Sequence, residues 1–294
     1  INYSFVEESW ERDLAGNAQP IRLLNPIASQ MSVMRSSLIG SLLQVVKFNA
    51  DRKADRVRVF ELGRVFRRDA TVQDSDSSVG GFDQPMHVAG MAWGPEQPLG
   101  WQGKARPLDF FDVKGDVEAL LAPRQAQFVA AEHPALHPGR SAQVVLDGVV
   151  IGHVGELHPR WRQAWDLPSA PVVFELALDA VTARVVPVAQ GVTKHQPVER
   201  DIAVIVSESV THAQLMQAID AAPTEGLLQG AVLFDIYRPK PDATGGALAA
   251  GEKSLAVRLT LGSPEATLTD AQIDSAMNAV VAHLGQQLAA RLRA

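Results

Sequence analysis

The chain of 294 residues contains no cysteine, which excludes disulfide bonds and thiolate metal sites. It lacks any apolar run close to the ~18–20 residues that a membrane-spanning helix needs, and it lacks the basic and apolar segments of a secretory signal. The net charge of −6 gives no overall basic surface of the kind that many nucleic-acid-binding proteins carry. From these absences we expect a cytoplasmic protein without a membrane partner and without a DNA partner.

What the chain does contain is enough apolar sequence for two hydrophobic cores. Its length exceeds that of one small domain, and 46% of its residues are hydrophobic. We predict a first domain over 1–187, a linker over 188–197 and a second domain over 198–294. The chain begins at Ile1 and not at a methionine, and we interpret it as a fragment of a longer protein.

The last hundred residues follow the β-α-β-β-α order of a ferredoxin-like split unit. Apolar and β-branched runs predict strands at 200–206, 232–237 and 254–261, and helical spacing predicts helices at 211–221 and 270–288. Thr211 with Gln214, and Thr269 with Gln272, fit the capping box that starts a helix. The tail at 288–293 is either a fourth strand or an extension of the last helix. A four-stranded sheet that is open on one face can serve as a platform for single-stranded RNA.

The first domain mixes strands with helices, which favours an α+β fold with a largely antiparallel sheet. Helical spacing predicts helices at 32–49 and 111–121. The Asp147-Gly148 dipeptide predicts a hairpin turn. The predicted strands are 57–66, 86–93, 143–146, 149–154 and 174–178.

Several segments of the chain, taken in order, carry a family resemblance. The first domain contains NPIASQMSVMRSSLIGSLLQVVKFN, VFELGRVF, DFFDVKGDVEALL, HPGRSAQV and GHVGELHP, and the second contains RDIAVIV, FDIY and KSLAVRLTL. Together they resemble the C-terminal part of the bacterial phenylalanyl-tRNA synthetase beta subunit over essentially the whole chain. The resemblance implies a class II synthetase-like first domain that is not catalytic, followed by a ferredoxin-fold anticodon-binding domain.

The resemblance also implies partners and cofactors. The full enzyme is a heterotetramer of two alpha and two beta subunits that joins phenylalanine to tRNA(Phe) with ATP and magnesium, and its alpha subunit carries the active site. We therefore expect this fragment to hold no cofactor and no catalytic residue, to dock onto the alpha subunit through 32–49 and neighbouring strands, and to recognise the anticodon. Two alternatives stay open: an assembly module without RNA contact, and a free-standing ATP-using ligase with a class II-like core.

The candidate RNA-binding residues lie in the second domain. Strand alternation puts Asp235 and Tyr237 on one face and Phe234 and Ile236 on the other. The ring of Tyr237 offers base stacking worth ~1–3 kcal/mol per base, and the carboxylate of Asp235 accepts hydrogen bonds from base amino or imino groups. The resemblance implies anticodon contacts at Asp235, Tyr237 and Ser254.

Three basic residues complete the predicted interface. Arg258 shares a strand face with Ser254, and Arg200 and Lys253 are predicted to contact phosphates. From residue 196 onward, seven Lys and Arg residues stand against eleven Asp and Glu residues, a formal charge of −4. Because RNA-binding domains usually show a basic stripe, we infer that contact with RNA is weak and local. The Gly- and Ala-rich loop over 238–252 is predicted to be mobile.

Candidate chemistry in the first domain has a structural interpretation in each case. Arg67 matches the ATP-contacting arginine of class II synthetases, but the Gly-x-Gly-x-x-Arg element is missing, which favours a structural or surface arginine. His133 and His137 each precede a proline, which favours loop histidines over a helical metal site. Asp112 and Asp116 are interpreted as the acidic start of a helix. No catalytic and no metal-binding residue is predicted.

Overall fold

The chain divides into two compact units, Ile1–Val186 and Pro187–Ala294. The computed structural model describes residues 3–76, 78–101, 103, 105–183, 186, 188–189, 194–239 and 248–293. Part of the predicted linker, and residues 240–247 of the predicted mobile loop, therefore lie outside the described residues. Within the described part, no helix combines the length and the apolar character that crossing a membrane requires.

The first unit is an α+β structure around one large antiparallel sheet, as predicted. Its described strands and α-helices are β1 (Phe5–Val6), β2 (Val33–Met34), α1 (Ile39–Asp51), β3 (Val57–Arg64), β4 (Arg67–Arg68), β5 (Phe82–Asp83), β6 (Met86–Trp93), α2 (Phe110–Leu121), β7 (Gln127–Ala130), β8 (Leu136–Leu146), β9 (Val149–Leu157), α3 (Pro159–Ala164), β10 (Val172–Ala177) and α4 (Leu178–Thr182). Six strands form the sheet in the order β3-β6-β10-β9-β8-β7. The pairs β1-β2 and β4-β5 form two small separate sheets.

The centre of the six-stranded sheet is buried on both faces. In β6, Met91 and Trp93 pack into a core that includes apolar residues of α1, whereas Val88 and Ala92 pack into a second core with apolar residues of α2. Alternate residues of a strand point to opposite faces, so a strand covered on both sides is apolar at nearly every position. This explains why the predicted strand at 86–93 has the observed bounds.

The helix predicted over 32–49 is wrong at its start. α1 begins at Ile39, because residues 33–34 pair with β1 as a strand. The carboxylate of Glu175 in β10 accepts a hydrogen bond from the Leu38 N–H at 3.2 Å, which satisfies a backbone donor at the helix start. The Glu175 carboxylate is far from this start in the sequence, so a prediction from helical spacing alone makes the helix too long.

The hairpin predicted at Asp147-Gly148 is confirmed. The two residues have φ values of 51° and 79°, the positive values that a two-residue turn between paired strands requires. Both flanking strands are longer than predicted, since β8 and β9 stay paired as far as Leu136 and Leu157. Pairing with a neighbour therefore extends strands beyond their most apolar segment.

The second unit has the predicted ferredoxin-like βαββαβ topology. Its elements are β11 (Val198–Ser207), α5 (His212–Asp220), β12 (Leu228–Tyr237), β13 (Glu252–Leu261), α6 (Asp270–Leu288) and β14 (Arg291–Leu292). The strands lie in the order β12-β13-β11-β14, and every neighbouring pair is antiparallel. The tail forms a fourth strand because Ala289 adopts a left-handed conformation with φ 50° and ends α6. Both predicted capping boxes are present.

Both helices of the second unit pack on one side of its sheet. Val204 in β11 and Val257 in β13 share a core with Leu215 of α5 and Leu284 of α6. Neighbouring residues in each strand point to the opposite side. We call that opposite side, which bears Asp201, Ala203, Ser254, Ala256 and Arg258, the open face.

Candidate nucleic-acid interface

The open face is organised in rows, because directly opposite residues of antiparallel strands point to the same side. The first row consists of Tyr237, Ser254, Ile205 and Arg291; the second of Asp235, Ala256 and Ala203; the third of Val232, Arg258 and Asp201. The sheet thus brings the predicted residues Asp235, Tyr237, Ser254 and Arg258 onto one face. The middle row has small side chains, so it forms a shallow floor between two rows of larger ones.

The prediction that Phe234 points to the helix side is wrong. The pairing of β12 slips between Leu233 and Asp235, which makes Phe234 the extra residue of a β-bulge and breaks strict alternation. Phe234 is 53% exposed, and its ring centroid lies 5.6 Å from the guanidinium carbon of Arg258 on the open face. Ile236 pairs opposite a core position of β13 and keeps the predicted side.

Tyr237 lies on the open face at the end of β12, and its ring is 43% exposed. The guanidinium carbon of Arg293 lies 4.8 Å from the ring centroid. Since β13 and β11 separate β12 from the C-terminal strand, the two side chains meet above those strands. Ser254 and Ile205, in the row of Tyr237, are 3% and 1% exposed. The Ser254 hydroxyl is therefore not accessible to a base in the conformation described here.

Arg258 is held by two carboxylates. Its Nε and Nη2 donate to Oδ1 and Oδ2 of Asp201 at 2.8 and 3.0 Å, and its Nη1 lies 3.5 Å from Oε2 of Glu199. The hydrogen bond from Arg258 holds the pKa of the Asp201 carboxyl below its usual range. Because this positive charge is already compensated, the position of Arg258 suits packing against the Phe234 ring better than binding a phosphate.

The positions of Lys253 and Arg200 give no support to the predicted phosphate contacts. Lys253 is 8% exposed, and its Nζ donates to the backbone carbonyl of Glu208 at 2.9 Å. Arg200 pairs opposite Leu259, a core residue on the helix side, and its Nη1 donates to the carbonyl of Glu199 at 3.0 Å. Register therefore puts both residues on the side of the sheet opposite Tyr237.

Asp235 has the geometry of a recognition group. Its side chain is exposed, and none of the described residues donates a hydrogen bond to its carboxylate. It lies on the same face as the Tyr237 ring, two positions away along β12. An acceptor beside an aromatic ring is the combination that reads the edge of an unstacked base while the ring holds its plane.

The first unit holds a buried cluster of polar groups around Glu175. The carboxylate accepts hydrogen bonds from the Ser37 hydroxyl at 2.6 Å and from the Leu38 N–H, and it lies 2.8 Å from Nδ1 of His87. Burial alone would raise the pKa of Glu175, but the interactions with His87, Ser37 and Leu38 outweigh it and hold the pKa below its usual value. This cluster joins the start of α1 to the sheet.

Two histidines near this cluster are held neutral. The rings of His133 and His153 lie 4.9 Å apart between centroids. Burial, with a smaller contribution from the neighbouring His153 ring, lowers the pKa of His133 to about 4, and burial also lowers the pKa of His153. His133 lies in a loop as predicted, whereas His137 belongs to β8. In the described part of the chain, no group of three or more His, Asp or Glu residues could hold a metal ion.

The other candidate groups of the first unit have structural contacts. Arg67 is exposed, and its Nη2 donates to the Ser36 carbonyl at 3.4 Å. Asp109 caps α2 and forms a capping box with Asp112, which also accepts from Arg106 Nη1 at 2.8 Å. These contacts support the interpretation of Asp112 as part of a helix start. Asp116 does not belong to that start: it lies in the middle of α2 and pairs with Arg58.

Two family models match the chain. The one described as "Phenylalanyl tRNA synthetase beta chain CLM domain" matches residues 1–178, and the one described as "Ferredoxin-fold anticodon binding domain" matches residues 193–293. Together with the two observed sheets, these matches confirm the predicted fold class. They define a protein of the aminoacyl-tRNA synthetase class.

The chain belongs to the phenylalanyl-tRNA synthetase beta chain family. It is 54% identical over 298 residues to the phenylalanine–tRNA ligase beta subunit of Ralstonia nicotianae, covering 100% of this chain and 37% of that protein. It is 52% identical to the corresponding subunit of Cupriavidus pinatubonensis and 50% identical to that of Chromobacterium violaceum, covering 100% of this chain and 36% and 35% of those proteins. The chain therefore spans little more than a third of the length of these relatives.

A more distant likeness was found to one solved structure. A solved pyrrolysyl tRNA synthetase from Desulfitobacterium hafniense has a TM-score of 0.43 and 12% identity over 62% of this chain and 58% of that chain. This likeness is too remote to bear on function.

Proposed function

We propose that this chain is the C-terminal part of a phenylalanine–tRNA ligase beta subunit, in which it recognises the anticodon of tRNA(Phe). The observation that carries this proposal is the exposed ring of Tyr237 beside the Asp235 carboxylate on a helix-free sheet face. The ring stacks on an anticodon base, and Asp235 accepts hydrogen bonds from a base with donor groups, such as guanine. Ser254 adds a hydrogen bond once its hydroxyl becomes accessible.

The two domains have different roles in this proposal. The first, over 1–187, serves as a non-catalytic scaffold for the alpha subunit, and the second, over 198–294, reads the anticodon after a linker at 188–197. The scaffold role is supported by Glu175, whose buried carboxylate is engaged by three groups of the protein itself. In the full cytoplasmic enzyme, two alpha and two beta subunits assemble, and ATP and magnesium act at the alpha subunit. Size-exclusion chromatography with that subunit tests the docking, and the absence of a complex contradicts it.

RNA recognition is tested by titrating the chain with the anticodon stem-loop of tRNA(Phe). Tyr237→Ala should weaken binding by ~1–3 kcal/mol, because a stacked ring is lost, and Tyr237→Phe should be nearly neutral. The matched control is Tyr3→Ala, since Tyr3 is the only other tyrosine and is 66% exposed in the first unit. In the assembled enzyme, Tyr237→Ala should slow aminoacylation and leave phenylalanine-dependent pyrophosphate exchange unchanged.

An assembly module without RNA contact is the second candidate. The observation that favours it is the pairing of the basic groups: Arg258 with Asp201 and Glu199, and Lys253 with the Glu208 carbonyl. The same titration separates the two functions. If the unaltered chain forms a complex with the alpha subunit and the assembled enzyme binds tRNA(Phe) equally well with Ala at position 237, the assembly function stands and anticodon recognition by this face fails.

A further inference from the structure

The second unit buries no aromatic side chain in its core. Between residues 187 and 294, the sequence contains no tryptophan, one phenylalanine and one tyrosine, namely Phe234 and Tyr237. Both are in β12, both are exposed, at 53% and 43%, and both lie on the open face. The core is formed by aliphatic residues of the strands and helices. A domain that stabilises itself without aromatic residues, and places its only two at one end of one strand, uses them for contact with something else.

We propose that Phe234 is a second base-stacking residue and binds the nucleotide next to the one on Tyr237. This inference rests on the proposed function and extends it to a residue that strand alternation assigns to the core. The bulge between Leu233 and Asp235 is what turns Phe234 outward. A regular strand would bury this ring on the helix side and leave Tyr237 as the single aromatic contact.

The spacing of the two rings fits neighbouring nucleotides. Tyr237 is opposite Ser254, and the bulge that contains Phe234 is opposite Ala256. Two residues along a strand span about 6.8 Å, so the attachment points of the two rings are separated by that order of distance. Four-stranded sheets of this topology hold two or three successive bases on aromatic side chains.

The Phe234 ring is held in place by Arg258, which lies over it. The guanidinium of Arg258 lies 5.6 Å from the ring centroid, and that guanidinium is fixed by both oxygens of Asp201. A ring that is positioned before RNA arrives loses little conformational freedom on binding, which favours affinity. The charge of Arg258 is compensated, so its part in this site is to position Phe234.

Each of the two rings on the open face has an arginine over it. The guanidinium carbon of Arg293 lies 4.8 Å from the Tyr237 centroid, and that of Arg258 lies 5.6 Å from the Phe234 centroid. Phe234 is nevertheless 53% exposed, and Val232, two positions before it in β12, is 62% exposed. Phe234 therefore presents a stacking surface in the conformation described here.

The test is a double-mutant cycle between Phe234 and the RNA. Affinities of the unaltered chain, Phe234→Ala and Tyr237→Ala are measured for the anticodon stem-loop of tRNA(Phe), and for three versions in which one anticodon nucleotide at a time is abasic. Phe234→Ala should weaken binding of the intact stem-loop about 5- to 100-fold. When one particular anticodon nucleotide is abasic, Phe234→Ala should cause no further loss of affinity. When the adjacent nucleotide is abasic, Tyr237→Ala should cause no further loss.

Two further variants separate stacking from packing. Phe234→Trp should bind like the unaltered chain, while Phe234→Leu, which keeps apolar contact with Arg258, should bind like Phe234→Ala. The matched control is Phe48→Ala in α1, because Phe48 is 54% exposed and also has an arginine, Arg52, over its ring. Thermal unfolding should be unchanged for every variant, since the ring is exposed.

The outcomes distinguish this inference from the proposed function. If Tyr237→Ala weakens binding and Phe234→Ala does not, the inference is overturned and anticodon recognition stands. Coupling of both rings to the same nucleotide, or full binding by Phe234→Leu, also overturns it. If the unaltered chain and the assembled enzyme show no dependence on either ring, both the inference and the proposed function fail.

Discussion

The two units of this chain use polar groups in opposite ways. In the first unit, the carboxylate of Glu175 is buried and engaged by Ser37, Leu38 and His87. In the second unit, Asp235 is exposed beside two exposed aromatic rings, and no described residue donates to its carboxylate. A buried charge is tolerated only when partners surround it, so the first arrangement stabilises a fold. The second leaves its polar and aromatic groups available, which is what recognition of another molecule requires.

The contrast shows why a buried polar cluster does not by itself identify a functional site. The first unit has a titratable cluster in its sheet, which by itself invites a catalytic interpretation. Its groups, however, satisfy one another. Burial lowers the pKa of His133 and keeps that ring neutral, whereas the interactions with His87, Ser37 and Leu38 outweigh burial, lower the pKa of Glu175 and keep that carboxyl ionised. The described part of the second unit has no such buried cluster, and its aromatic rings are exposed on the open face instead.

The largest expected effect is a loss of stability when the Glu175 carboxylate is removed from the cluster of the first unit. Glu175→Ala should reduce the free energy of unfolding of this unit by about 3–5 kcal/mol, because the Leu38 N–H and the His87 ring lose their buried partner. Glu156→Ala is the control: that glutamate pairs with Arg140 at 2.7 Å at an exposed site and should cost about 1 kcal/mol or less. Denaturant unfolding measures both, and equal losses contradict a structural role for the Glu175 cluster.

The next largest effect is a loss of stability as the pH falls. The pKa of His133 is about 4 in the folded protein against 6.5 ordinarily, so between those values the unfolded chain binds the extra proton and the folded chain does not. Stability should therefore fall as pH falls from 6.5 to 4, by roughly 2–3 kcal/mol in total. The burial of His153 acts in the same direction.

The measurement is thermal or denaturant unfolding across this pH range, for the unaltered chain and for His133→Asn. The variant should show a shallower loss, because Asn does not titrate. The charges that face His133 are His153, Glu175 and Arg67. A loss of the same size in the variant would assign the acid sensitivity to other groups.

A smaller effect concerns salt and the second unit. Because Arg258 and Lys253 are already paired within the protein, few phosphate contacts should contribute to binding of the anticodon stem-loop by the chain. We expect affinity to fall by roughly tenfold or less between 50 and 200 mM salt, as for one or two phosphate contacts. A thousandfold fall in affinity would mean that phosphate binding dominates. The second unit would then bind RNA mainly through its charged groups, and the contrast between the two units would not hold.

The smallest effect concerns Lys253. Lys253→Met keeps most of the buried volume and removes the charge, so anticodon stem-loop affinity should change by less than about 0.5 kcal/mol, within the range of substitutions away from a site. Tyr237→Ala, measured in parallel, provides the scale. If Lys253→Met lowered the affinity as much as Tyr237→Ala and left thermal stability unchanged, that result would support the phosphate contact predicted from sequence.

Sequence reasoning was sufficient wherever a structural feature depends on neighbouring residues. The capping boxes at Thr211 and Thr269, the Asp147-Gly148 turn and the βαββα order of the second unit are all confirmed. Each rests on local backbone chemistry or on the periodicity of apolar residues. The presence of Asp235 and Tyr237 on one face also followed, because the bulge precedes both of them and leaves their relative alternation intact.

The tertiary structure alone decided what depends on distant partners. Phe234 turned outward because the pairing of β12 with β13 contains a bulge, and Lys253 was buried because it packs on the helix side and donates to Glu208. The start of α1 depended on Glu175, and Ser254 was buried within the paired strands. Local sequence determines which elements form and where they turn. Which side chains remain accessible is determined by how those elements pair, because register, bulges and long side chains act between strands that are far apart in the chain.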